Sequence, residues 1–153
     1  MAVSLYATTL ETGWSDIDMN GHLANTAYLA KAVDVRLRFF ALHRFGVGEF
    51  ARLRIGPVVM TDEIGYFREV HLQETLTATL ALAGLADDGS RWRLCNEFHR
   101  TDGKLAARVT SLGGWLDLDA RRLVAPPPPL AAALATLART AEFAALPSSL
   151  RAR

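Results

Sequence analysis

The stretch "WSDIDMNGHLANTAYLAKAVDVRLRFF", Trp14 to Phe40, decides how this chain folds. Its latter part carries apolar residues at helical spacing, with Leu23, Ala27, Ala30, Leu37 and Ala41 on one stripe. Tyr28, Ala32, Val35, Phe39 and Leu42 form an adjoining stripe, so a helix over 23–42 is expected to be mostly enclosed. Lys31, Asp34 and Arg38 share the remaining face, with Asp34 and Arg38 at the spacing of an i,i+4 pair. That face is expected to meet water or a partner subunit.

Outward from this helix the periodicity changes. Residues 3–12 alternate loosely, with Val3, Leu5, Ala7 and Thr9 on one side, as in a strand with one covered face. Beyond Gly46 and Gly48 come strand-like runs at 55–68, 73–83, 91–100 and 104–118. "DDGS" at Asp87 and "TDGK" at Thr101 read as hairpins, because Asp-Gly tolerates the positive φ of tight primed turns. In "RWRLCNEFHR" the residues Trp92, Leu94, Asn96 and Phe98 take one face, and Cys95, Glu97 and His99 the wetter one.

The run "APPPPL" lacks amide donors at 126–129 and predicts a stiff extended connector. The alanine-rich segment beyond it reads as a closing helix over about 130–146, ended near Pro147, with a frayed tail. One strand, one long helix and four hairpin-linked strands without βαβ alternation make an α+β domain, an antiparallel sheet curled around a helix. At 153 residues, half of them hydrophobic, one domain over 1–153 is expected, its core at about 3–125.

Charge and cysteine usage exclude some partners. Lys plus Arg total 17 against 16 for Asp plus Glu, too even a balance for a nucleic-acid footprint. Cys95 is the sole cysteine, which excludes an intramolecular disulfide and points to the cytoplasm. The start "MAVSLYATTLE" has no secretory pattern, and no run reaches the roughly 18 apolar residues of a membrane span.

The opening turn concentrates the chemistry. Asp18 and Asn20 are of the types that cap helices, yet Asp16, Asp18 and Asn20 together exceed what one helix end needs. Amides at a helix start, here near Leu23 to Asn25, polarise a carbonyl and favour its tetrahedral oxyanion. A neighbouring carboxylate attacks that carbonyl or deprotonates a water. The turn therefore contains both halves of an acyl-transfer site, with Gly21 suited to close approach of backbone to ligand.

"SDIDMNGHLANTAYL" resembles the signature of hotdog-fold acyl-CoA thioesterases of the 4-hydroxybenzoyl-CoA thioesterase type, D-x-D-x-x-G-H-x-N-N-x-x-Y-L, at Asp16, Asp18, Gly21, His22, Asn25, Tyr28 and Leu29. Asp34 and Arg36 sit where the family often has an acidic residue and an arginine, and the order of elements is similar over about residues 3 to 130. The resemblance implies a sheet wrapped round a central helix, assembled as a homodimer or homotetramer. It implies that Asp18 is the catalytic carboxylate, that the Asn25 amide or its neighbours form the oxyanion donor, and that His22 and Tyr28 line the pocket. Ala24 departs from the pattern's usual asparagine.

The substrate expected from this resemblance is an acyl-CoA or acyl-carrier-protein thioester, hydrolysed to acid and thiol with no cofactor, since thioesters are already activated. For the sites this means catalysis by Asp18, His22 and Asn25, substrate contacts at Gly21, Leu23 and Tyr28, and a structural Asp16. A solvated charge is expected at Glu63. No metal is expected, because Cys95 and His99 lie about 13 Å apart along a strand at ~3.3 Å per residue. Arg52, Arg54, Arg68, Arg91 and Arg93 are weak candidates for coenzyme A phosphates. The alternatives are a non-catalytic thioester binder, an enoyl-thioester hydratase and a purely structural dimer. The hydratase motif resembles D-x-N-P-x-H, from which "DMNGH" is one residue short and lacks the proline.

Overall fold

Two Asp-Gly turns organise the middle of the chain. Gly89 and Gly103 take φ values of +71° and +81°, which such turns require, and each folds one long strand onto the next. The strands so joined are β3 (Thr75–Ala86), β4 (Arg91–His99) and β5 (Leu105–Asp117). In this computed structural model, which describes residues 3–150, β1 (Tyr6–Glu11) pairs antiparallel with β3 and β2 (Ile55–Tyr66) with β5. The strand order is β1-β3-β4-β5-β2, with β6 (Arg122–Val124) on β5 and β7 (Arg139–Leu146) on β3. Parts of the expected unit 1–153 and of its tail, residues 1, 2 and 151–153, lie outside the described residues.

Helix α1 (Asn25–Leu42) crosses the sheet and buries Tyr28, Ala32, Val35, Phe39 and Phe40 in the same cluster as Leu80, Leu94, Phe98 and Trp115. Each large apolar side chain so covered contributes about 1.5–3 kcal/mol. Edge-to-face contacts of Tyr28 with Phe98 at 5.6 Å and of Phe40 with Trp115 at 5.7 Å orient the rings. A Cβ at Gly113 would overlap the Trp92 ring and the Val58 carbonyl, so glycine is what lets Trp92 lie against the strand.

One stripe of α1 is enclosed, not two. Ala30, Val33, Leu37 and Ala41 remain exposed, as does Leu42 at the end of the enclosed stripe, and the helix begins at Asn25 rather than Leu23. The later start has a cause: the Leu23 N–H donates to the Val70 carbonyl at 2.7 Å and the Ala24 N–H to the Asp16 carbonyl at 2.7 Å, tying both residues to other segments. On the charged face Arg38 donates to Thr8 Oγ1 at 3.4 Å, and no ion pair with Asp34 forms among the described residues. In β1 the covered side chains are Tyr6, Thr8 and Leu10, while Val3, Leu5, Ala7 and Thr9 are exposed.

Arg36 is 4 % exposed. Its Nε donates to Asn96 Oδ1 at 2.8 Å and an Nη to Ser111 Oγ at 2.7 Å; Ser111 in turn donates to Asp62. Asn96 passes the chain on to the Thr79 carbonyl at 3.1 Å. Burial pulls the guanidinium down to about 10, with Asp62 opposing the fall, so Arg36 remains charged at neutral pH. This network fastens the middle of α1 to β4, β5 and β2.

Two segments differ from the sequence expectation. Residues 47–53 form a short helix, α2 (Val47–Leu53), because Phe50 turns inward against Phe45 and Phe40. The closing helix expected over about 130–146 is α3 (Pro128–Ala135) alone, entered by the last two prolines of the connector; 139–146 is the strand β7. Helix propensity loses there to edge pairing. β1 covers β3 only from Thr75 to Leu80, and β7 takes the rest of that edge in parallel pairing from Leu82 to Ala86. No helix among the described residues is long and apolar enough to cross a membrane.

Candidate active site

The segment between the 3-10 turn Trp14–Asp16 and α1 is built like a small hairpin. The Asp18 N–H donates to the His22 carbonyl at 2.8 Å, and the Gly21 N–H to the Asp18 carbonyl at 3.1 Å. Asp18 Oδ1 accepts from the Asn20 N–H at 2.8 Å and the His22 N–H at 3.2 Å. One carboxylate oxygen therefore fixes the loop, while the other has no partner among the described residues. Gly21 is required by its φ of +74°; a Cβ there would meet nothing within 4 Å, so conformation rather than crowding accounts for this glycine.

Asp16 serves the same loop from the other side. It accepts from the Gly13 N–H at 2.8 Å and pairs with Lys31 at 3.0 Å. Burial pushes its carboxyl up, but the Gly13 amide and the Lys31 ammonium outweigh that and hold it below its ordinary range.

Neither Asp18 nor Asn20 caps α1. The N-cap residue is Ala24, in extended conformation and without a side-chain acceptor. Among the described residues the amides of Asn25 and Thr26 have no acceptor, whereas those of Leu23 and Ala24 are spent on carbonyls. The unsatisfied donors are thus Asn25, inside the expected stretch, and Thr26, just beyond it.

A cleft of about 310 Å³ opens beside this helix end. Asp18, His22, Leu23, Asn25 and Tyr28 all line it, so five of the six residues singled out from the sequence meet there; Gly21 does not. The far wall is Tyr66, Phe67, Arg68 and Glu69, where β2 ends. The Tyr66 hydroxyl donates to the Asn25 carbonyl at 3.0 Å, and its ring meets Tyr28 at 5.7 Å, which ties the strand end to the helix start. Tyr28 is buried, and desolvation pushes its hydroxyl up to about 12, so it stays protonated.

The sequence carried a signal for only part of the far wall. Of the candidate arginines, Arg68 reaches the cleft; Arg52 pairs with Glu49, Arg54 with Asp119, and Arg91 donates to Ser149. Arg93 lies instead on the outer face of the sheet, in a 660 Å³ groove shared with Cys95 and His99. Glu63 is exposed on β2 and does not line the cleft. His22, Glu69 and His71, brought together by the loops, form a group of possible metal ligands that spacing along the chain does not reveal.

A helix-wrapping sheet with a cleft at the helix start is a hotdog-type arrangement, and comparison with solved structures agrees. A Staphylococcus aureus hypothetical protein solved with CoA superposes with a TM-score of 0.80 at 24% identity, over 88% of this chain and 84% of that one. A 1,4-dihydroxy-2-naphthoyl-CoA thioesterase from Synechocystis gives 0.77 at 14% identity, over 86% and 96%. A probable thioesterase from Escherichia coli gives 0.72 at 22% identity, over 85% and 96%. Among curated proteins none matches. The sequence pattern of the thioesterase-like superfamily matches residues 12–134, and the chain belongs to that family.

Proposed function

We propose that the protein hydrolyses acyl thioesters, with Asp18 supplying the attack and the Asn25 and Thr26 amides receiving the oxyanion. The observation that carries this reading is the convergence of two features on one cleft: a carboxylate with an unengaged oxygen, and a helix start left uncapped by Ala24. A thioester carbonyl set against the first-turn amides gains negative charge on oxygen as its carbon becomes tetrahedral, and fixed N–H donors stabilise that charge without reorganising. Asp18 attacks the carbon directly, giving an anhydride that water cleaves, or takes a proton from a water that attacks instead. Either way the carbon–sulfur bond breaks, the thiolate leaves and picks up a proton, and the acid is released. His22 and Tyr28 shape the walls, and Leu23 supplies apolar surface rather than an amide.

The substrate class is an acyl thioester of coenzyme A or of an acyl-carrier protein. The related fold solved with CoA and the naphthoyl-CoA thioesterase support coenzyme A. Arg68 at the rim is the cation best placed for its phosphates. The reaction as written needs no cofactor, and Cys95, the sole cysteine, suits the cytoplasm.

We further propose a homo-oligomer. β2 is the outer strand of the sheet, unpaired on one side among the described residues, and presents Val59 at 45 % and Met60 at 40 % exposure. A long edge of this kind invites pairing with a second copy, and the cleft opens at its end, where that copy would complete the acyl pocket. The deciding experiment is an acyl-CoA panel assayed for free thiol, with Asp18→Asn in parallel. Sustained release lost in the variant supports the enzyme; saturable binding without release replaces it with the non-catalytic binder.

A further inference from the structure

We propose that His22, Glu69 and His71 form a binding site for one divalent transition-metal ion, of the zinc type, at the mouth of the cleft. One ring nitrogen from each histidine and one carboxylate oxygen of Glu69 lie within 4.8 Å of one another. In a tetrahedral zinc centre with metal–ligand bonds of ~2.0–2.1 Å the ligand atoms stand about 3.3 Å apart. The closure needed is a small side-chain rotation, and Glu69 and His71 are exposed enough to make it.

The backbone arranges this group. His22 and His71 face each other across an isolated antiparallel bridge, reinforced by the Leu23 N–H on the Val70 carbonyl at 2.7 Å. Their rings consequently meet edge to face with centroids 5.2 Å apart. Glu69 is anchored from behind, its carbonyl accepting from Arg100 at 2.8 Å, and its carboxylate has no Lys or Arg ion-pair partner among the described residues.

A second observation concerns the support of a ligand. His71 Nδ1 lies 2.9 Å from Glu74 Oε1, which also accepts the His71 backbone N–H at 3.0 Å. A carboxylate only accepts hydrogen bonds, so Nδ1 carries a proton and, in the neutral ring, Nε2 is the nitrogen left to bind a metal. A carboxylate behind a histidine is the arrangement that orients metal-ligating imidazoles and raises their basicity. Two imidazoles with one carboxylate leave a coordination position for water, and they favour zinc, cobalt, nickel or copper over magnesium or calcium.

Binding is read without turnover, so the outcome is separate from that of the thioesterase reading. Metal-free protein is titrated with Zn²⁺ against a chromophoric chelator, and with Co²⁺ for its visible absorption. The expected result is one ion per chain, a Co²⁺ spectrum more intense than that of the aqua ion, and no competition by Mg²⁺. Affinity should fall more than about tenfold in Glu69→Gln and in His71→Ala, and about tenfold in Glu74→Gln, which removes only the supporting carboxylate. His99→Ala, on the outer face of the sheet, should bind as the parent does. Circular dichroism of each variant, with the near-isosteric Glu69→Gln as the mildest change, separates lost ligands from lost fold. Substoichiometric binding, or an affinity indifferent to Glu69→Gln and His71→Ala, would mean an adventitious ion only and overturn the site.

Discussion

In the proposed reaction Asp18 has two duties, and a single substitution separates them. Its Oδ1 holds the Asn20 and His22 amides, and the amide oxygen of an asparagine can accept both. Asp18→Asn should therefore keep the melting temperature while lowering thiol release by about 10²–10⁴-fold, the range for a lost acid–base group. A parallel loss of cooperative unfolding would assign Asp18 to the loop alone. Gly21→Ala tests the opposite case: a side chain at φ +74° costs about 1–2 kcal/mol even with open space around it, readable as a lower urea midpoint at unchanged slope. Asp16 adds a pH dependence. Its folded-state pKa is below the ordinary 3.8, so the stability it contributes is present above that value and is lost as pH falls toward the depressed one. Asp16→Asn should flatten acid denaturation in that window; an unchanged acid limb would show that the Lys31 and Gly13 contacts carry no weight in solution.

At the scale of elements, the start of α1 and its middle are held in different ways. Ala24 has the extended φ and ψ of −63° and 146° that an N-cap residue needs but no acceptor, so Ala24→Asn should raise stability by about 0.5–2 kcal/mol. No gain in chemical denaturation would mean that the introduced carboxamide does not reach the first-turn amides. The middle of the helix depends on Arg36. Arg36→Ala would leave Asn96 Oδ1 without its donor in the core, while Ser111 keeps its bond to Asp62, a loss of about 1–3 kcal/mol for the unsatisfied acceptor. A change no larger than the roughly 0.5 kcal/mol of an ordinary surface substitution would show the network to be idle. The hairpin strands were legible because Asp-Gly turns and β-rich runs are local signals. Residues 139–146 were not, because their alanines favour a helix and only the vacant half of the β3 edge makes a strand the better use of their amides.

The whole molecule leaves the outer side of β2 unpaired among the described residues, and the assembly prediction belongs at this scale. Met60 is the bulge residue between Val59 and Thr61 and has no partner on β5, so Met60→Lys should leave the fold intact and place a charge on the edge. If two copies join there, sedimentation should show a dimer for the parent and a monomer for the variant; a parent that sediments as a monomer ends the oligomer proposal. The sequence by itself determined the long helix and five of the strands, since periodicity and Asp-Gly turns act over a few residues. Only the tertiary structure decided which amides stay free, that Tyr66 to Glu69 wall the cleft, and that His22 meets His71. Those contacts join segments tens of residues apart, and they are set by which backbone donors have already been satisfied elsewhere, something no local pattern records.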